Sequence, residues 1–299
     1  VQVSEHSFIA PAKVNLRLKV VGRRADGMHL LSMLNTDISL FDQLKLKLTE
    51  NSTERHVSVV DESFQPLDLG PSSKNLALRA AEAFFQKAGI NNIGINIELS
   101  KHIPVGAGLG GGSSDAAAVL QALSALYPQV AKDCSLEDIA ESLGSDVAYF
   151  LKGGLCRVEG AGELISKIDR NPLSGQPFLL ISPLVHVSTV EVYREFARLH
   201  QNIIACKEII SENLTYSEIY NSIENDLSEV VYSKAKVCSE LIIKLSSCSK
   251  VRACVTGSGS SLFCLPKVAG DIDSLEAIMA QVSELDTDIP IKLRILEFL

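Results

Sequence analysis

From residue 12 to residue 20 the chain alternates. Apolar Ala12, Val14, Leu16, Leu18 and Val20 are separated by Lys13, Asn15, Arg17 and Lys19. This period of two predicts a half-buried strand that presents Lys13, Asn15 and Arg17 on its open face. Leu44, Leu46 and Leu48 alternate with Lys45, Lys47 and Thr49, which predicts a second strand, and residues 56–60 predict a third. A helix follows. Leu76, Ala80, Ala83 and Phe84 share one face, Ser72 and Ser73 are candidate N-caps, and Gly89 is its stop. Ile93, Ile95, Ile97 and Leu99 form the next strand. It runs into Pro104-Val-Gly-Ala-Gly-Leu-Gly-Gly-Gly-Ser-Ser-Asp115. Helices are expected over residues 116–127 and 136–143.

The second half reads as strand (178–185), helix (189–201), helices within 216–245, and strand (251–256). A glycine turn, a strand (261–265), a helix (273–285) and a final strand (291–298) complete it. Two adjacent strands flanked by helices, with a strand at each end, give a split β-α-β, or ferredoxin-like, layout. The whole chain reads as α+β. Turn formers and isolated charges between residues 160 and 177 mark a boundary, so the expected domains are 1–165 and 166–299.

Composition narrows the function classes. The 299 residues carry 28 Lys+Arg against 36 Asp+Glu, a formal net charge of -8. That balance argues against a general nucleic-acid binder, which needs a basic footprint to displace counterions. It leaves room for an anionic ligand held by a local nest of backbone N–H groups. No apolar run approaches the ~18–20 residues that span a bilayer, so no membrane partner is expected. The first ten residues lack a basic region followed by an apolar run and do not read as a secretory signal. The 7 cysteines are odd in number and widely spaced, without C-x-x-C. They read as buried thiols of a reducing cytoplasm, not as a disulfide or zinc framework.

Four features could carry chemistry. Gly106, Gly108, Gly110, Gly111 and Gly112 crowd the start of a predicted helix beside Ser113 and Ser114. Glycine lets backbone approach a ligand, and a helix start offers free N–H donors and a positive dipole end, so the run predicts an anion cradle. Gly106, Gly108 and Gly111 fit G-x-G-x-x-G, but Glu137, at the distance of a ribose-binding acid, falls in a helix. The G-K-[ST] of a P-loop and the H-R-D and D-F-G of protein kinases are missing. Lys13 and Asn15 share a strand face. Asp146, between Gly144 and an apolar run, suits a helix cap or a general base, and the fragment alone favours the cap. Thr256-Gly-Ser-Gly-Ser-Ser261 is either a plain hairpin turn or a ligand-facing loop.

Taken in this order and at these separations, the segments resemble the three motifs of the GHMP small-molecule kinase family. Ala10-Pro-Ala-Lys-Val-Asn15 looks like the first motif, residues 104–114 like the phosphate-binding second, and residues 256–261 like the third. Gly22-Arg-Arg-Ala-Asp-Gly-Met-His29 is close to the Arg-x-Asp-Gly-Tyr-His of those members that act on a cytidine-diphosphate-linked methylerythritol in isoprenoid-precursor synthesis. The resemblance implies a ribosomal-S5-like N-terminal domain and a ferredoxin-like C-terminal domain. It also implies ATP-dependent phosphorylation of a small-molecule hydroxyl, with ATP and Mg²⁺ as cofactors.

By the same resemblance, Lys13 and Asp146 match the catalytic pair. Asn75, Leu76 and Lys101 match the adenine side. Pro104, Gly106, Gly108, Leu109, Gly110, Gly111, Gly112, Ser113 and Ser114 match the phosphate loop. Asn15, His29, Thr189 and Tyr193 match the substrate side, with His29 at the cytosine edge and Tyr193 stacked on the base. Met28 stands where an aromatic Tyr is usual. Glu137 and Glu141 are the carboxylates considered for Mg²⁺.

Overall fold

The computed structural model describes residues 3–61, 72–132, 134–201 and 210–299. Contacts divide the chain into two compact units, one of residues 1–12, 40–105 and 110–152, the other of residues 13–39, 106–109 and 153–299. Strands β1 (Val3–Arg23) and β2 (His29–Glu50) each pass from one unit into the other.

The first unit holds the beginning of β1, the end of β2, β3 (Arg55–Asp61) and β4 (Ile93–Lys101), in the order β3-β4-β2-β1. β2 and β4 are antiparallel with Leu46 opposite Ile97, whereas β3 and β4 are parallel with Val57 opposite Ile97. A parallel pair needs a crossover, and α1 (Leu76–Lys87) lies within it. The other helices are α2 (Gly111–Leu126), α3 (Pro128–Ala131), α4 (Leu136–Leu143) and α5 (Ser145–Lys152). Leu44, Leu46, Ile95, Ile97 and Leu99 are buried, as are Leu78, Phe84 and Phe85 of α1 and Val119 and Leu123 of α2. α1 is capped by Asn75, whose Oδ1 accepts the Ala77 N–H at 2.9 Å. Neither Ser72 nor Ser73 caps it, because they belong to a 3₁₀ turn that precedes Asn75. Gly89, at φ +67°, follows its last turn as expected.

The second unit contains β5 (Cys156–Gly160), β6 (Leu164–Lys167), β7 (Pro177–Pro183), β8 (Glu224–Asn225), β9 (Val251–Val255), β10 (Leu262–Pro266) and β11 (Ile291–Glu297). Its helices are α6 (Thr189–Leu199), α7 (Tyr216–Ser222), α8 (Ser228–Lys234), α9 (Lys236–Ser246) and α10 (Ile272–Ser283). β5 pairs antiparallel with the start of β2, Met33 opposite Val158, and with β6. β8 pairs parallel with β1. The remaining strands form an antiparallel sheet in the order β11-β7-β10-β9. With helices after β7 and α10 after β10, this is the ferredoxin-like layout that the pattern predicts.

Three elements differ from expectation for physical reasons. Residues 31–38 of β2 are buried without interruption, so they carry no alternation to read. β1 begins at Val3 instead of Ala12, its first residues alternating between exposed and half-buried. The turn formers after Gly160 close the β5–β6 hairpin, where Gly160 and Gly162 have positive φ and the Gly162 N–H donates to the Glu159 carbonyl at 3.1 Å. A cut between residues 165 and 166 therefore passes through β6. Among the described residues, no helix is long and apolar enough to cross a membrane.

The end of the chain locks the second unit. Phe298 stacks on Phe178 with ring centroids 4.3 Å apart, and both rings are buried. Phe298→Ala should cost roughly 3–5 kcal/mol, the usual penalty for removing a buried aromatic ring. Urea unfolding should show this as a lower midpoint at unchanged slope.

Candidate active site

Lys13 lies on β1, but its face is not open. The side chain is only 4% exposed, and a buried ammonium needs partners. Its Nζ donates to Asn15 Oδ1 at 2.6 Å. The other side of the Asn15 amide is also fixed, since Nδ2 donates to Asn35 Oδ1 at 2.7 Å. Asn35 on β2 thus turns the acceptor end of Asn15 toward Lys13. Asn35 is fully buried, and its own Nδ2 has no hydrogen-bond partner among the described residues.

The backbone of this strand carries the glycine loop. The Lys13 N–H donates to the Leu109 carbonyl at 3.0 Å, and the Ser261 N–H donates to the Ala107 carbonyl at 3.1 Å. The Asn15 N–H donates to Thr256 Oγ1 at 2.9 Å. Residues 13–15, 106–109 and 256–261 therefore form one hydrogen-bonded body. Gly108 sits in it at φ +79°, and a Cβ there would run into the Thr256 carbonyl. Gly106, at φ +65°, lies against the His186 ring. Only glycine meets both demands, positive φ and close approach. The Thr256–Ser261 stretch is thus a turn between β9 and β10 that also packs on the loop.

At the loop's exit α2 starts at Gly111, inside the glycine run and five residues before the expected position. Gly110, in the left-handed region, precedes it without any side-chain capping bond. The first N–H groups of a helix have no partner within it, and a Cβ on Gly112 would meet nothing within 4 Å. Ser113 is half-buried, and Ser114 is buried with an Oγ that has no partner among the described residues.

In the first unit, Asn75 spends its side-chain oxygen on the α1 cap and Leu76 opens the helix, both half-buried. Asp146 is the second residue of α5, half-buried in its first turn. It is not the cap, so the reading that the fragment alone favours is replaced. Lys101 is buried, with its ammonium held by Asp42 and by Asp115 Oδ2 at 2.6 Å. Pro104 is buried just beyond it. Burial pulls the Lys101 ammonium down, but Asp115 and Asp42 outweigh it and raise its pKa. Among the described residues, no three His, Cys, Asp or Glu side chains gather to hold a metal ion.

The second unit collects the remaining candidates. His29 opens β2, with its ring 5.4 Å from that of Tyr193 and 5.9 Å from that of Phe196. Burial, helped by the Arg23 charge, lowers its pKa. The ring is therefore neutral at pH 7, offering one donor and one acceptor. Its Nε2 is buried without a partner among the described residues. Met28 is 49% exposed in a turn where Asp26 accepts the Met28 N–H and binds Arg24. Thr189 opens α6, and its Oγ1 lies 2.7 Å from Ser258 Oγ in the third motif. The sequence alone assigns no role to Asn35, His186, Asp42 or Asp115. For Asn35 a signal existed, an amide within an otherwise apolar run.

Known proteins resemble this chain in sequence and fold. The family described as GHMP kinases N terminal domain matches residues 75–154. A protein of Clostridium beijerinckii named 4-diphosphocytidyl-2-C-methyl-D-erythritol kinase is 34% identical over 263 residues, 86% of this chain and 89% of the relative. A protein of that name from Desulfitobacterium hafniense is 36% identical over 278 residues, 91% and 90% of the two chains. A crystal structure of 4-(cytidine 5'-diphospho)-2C-methyl-D-erythritol kinase superposes with a TM-score of 0.74 at 30% identity, covering 98% of this chain and 99% of the other. Homoserine kinase from Cytophaga hutchinsonii, with a TM-score of 0.69 at 17% identity, shares the fold. Through its three joined motifs and relatives alike along most of their length, this chain belongs to the GHMP kinase family.

Proposed function

We propose that the protein phosphorylates a hydroxyl of 4-diphosphocytidyl-2-C-methyl-D-erythritol with ATP, as a step toward isoprenoid precursors. The observation that carries this reading is the identity of 34–36%, across 86–91% of the chain, to proteins bearing that kinase's name. His29 beside Tyr193 supports it, because a neutral imidazole next to an aromatic ring suits a nucleobase edge and face. Met28 takes the place of a second aromatic, and its thioether can lie on the other face of the base. Thr189 and Asn15 belong to the same substrate side.

In the proposed reaction the acceptor oxygen attacks the γ-phosphorus, the bond to the β–γ bridging oxygen breaks, and ADP leaves. Asp146 accepts the hydroxyl proton. Lys13, its ammonium oriented by Asn15, offers positive charge to the transferring group. Backbone N–H groups of residues 106–114 hold the triphosphate, and Asn75 and Leu76 flank the adenine. When bound with ATP, Mg²⁺ would screen the phosphate charge. The Ser114 hydroxyl, buried without a partner at the start of α2, is the residue that fits it. Glu137 and Glu141 are exposed on α4. A reducing cytoplasmic setting belongs to the proposal and accords with the buried thiols of Cys134, Cys156, Cys238, Cys254 and Cys264.

Substrate choice tests this reading. Phosphate transfer from ATP should favour the cytidine-linked alcohol over its uridine analogue and over free methylerythritol, and His29→Ala should erode the cytidine preference. Equal kcat/KM for the free alcohol would hand the site to a different small-alcohol kinase. Asp146→Asn should leave ATP binding nearly intact while removing most of kcat, because a general base acts in the transition state. Near-normal kcat in that variant would remove the assigned role.

A further inference from the structure

One buried cluster takes no part in the chemistry above. Lys101 is the last residue of β4, Asp42 lies on β2 and Asp115 lies near the start of α2. Their side chains are at most 5% exposed. Asp42 Oδ1 accepts the His102 N–H at 2.6 Å and the Ile103 N–H at 2.9 Å, and its Oδ2 binds Lys101. The same ammonium reaches Asp115 Oδ2 at 2.6 Å. Residues 102–103 lead into the glycine loop and residues 111–115 lead out of it. Both ends are thus tied to one lysine. A Cβ on Gly111 would meet Asp42 Oδ2 at 3.3 Å, so the helix start packs directly on this cluster.

We propose that Asp42, Lys101 and Asp115 form a clamp that sets the spacing of the two ends of the glycine loop, and that nucleotide affinity depends on it. The inference rests on the nucleotide site proposed above. It recasts Lys101 as a positioning residue instead of a direct ligand of adenine.

The test is calorimetric binding of a non-hydrolysable ATP analogue to the unaltered protein, Lys101→Met, Asp115→Ala and Asp115→Asn, with far-UV circular dichroism to show which variants fold. Lys101→Met and Asp115→Ala should each bind at least about tenfold more weakly. Asp115→Asn, whose amide oxygen can still accept from the Lys101 ammonium, should recover affinity to within about threefold of the unaltered protein. A folded Lys101→Met or Asp115→Ala protein that binds within twofold of the unaltered one would overturn the clamp. Asp115→Asn binding as weakly as Asp115→Ala would overturn it as well. No binding by the unaltered protein would instead remove the nucleotide site itself, a distinguishable outcome.

Discussion

A glycine loop binds a polyphosphate only if something holds its backbone in shape before the ligand arrives. Here that constraint is a set of backbone hydrogen bonds, from Lys13 to Leu109 and from Ser261 to Ala107, joined by the Asn15 N–H to Thr256 Oγ1. They bind together three stretches that are distant in the chain. They also bring Gly108 so close to the Thr256 carbonyl that any side chain is excluded. The preference for glycine thus follows from what the loop packs on, beyond what a ligand would require. The lysine whose amide supports the loop carries, on its side chain, the ammonium that Asn15 and Asn35 orient. Loop geometry and the placement of charge are therefore coupled through a single residue of β1.

A second layer of order comes from buried charge. Lys13 and Lys101 are both buried lysines, but they are satisfied differently. The Lys13 ammonium donates to an amide oxygen. Lys101 sits between two carboxylates, which consume its charge in holding the two ends of the loop.

Much of this was legible in the sequence, for identifiable reasons. Strands with one dry face announced themselves by alternation, as Leu44 to Leu48 and Ile93 to Leu99 did, and the βαβ order of the second half gave the ferredoxin-like sheet. The glycine run announced a loop that passes into a helix start, as Gly110 and Gly111 do. What escaped notice lacked a periodic signal. The start of β2 is buried throughout, so its pattern looks like an undifferentiated apolar run. The β5–β6 hairpin is built from turn formers that resemble a linker. Asp42 and Asp115 are single acids on separate elements, and only the folded chain shows that they share Lys101. Asp146 illustrates the limit of local reading, because a cap and a first-turn residue differ by two positions in a helix whose start no pattern sets.

The claim on which the rest stands is that the packed glycine loop is the triphosphate cradle. Its most direct test is the affinity of a non-hydrolysable ATP analogue for Gly108→Ala, measured by calorimetry, with far-UV circular dichroism to show that the fold persists. A methyl group at φ +79° against the Thr256 carbonyl must displace the loop backbone. Affinity should therefore fall by at least about tenfold while the dichroism spectrum is retained. A folded Gly108→Ala protein that binds the analogue within twofold of the unaltered chain would contradict the account.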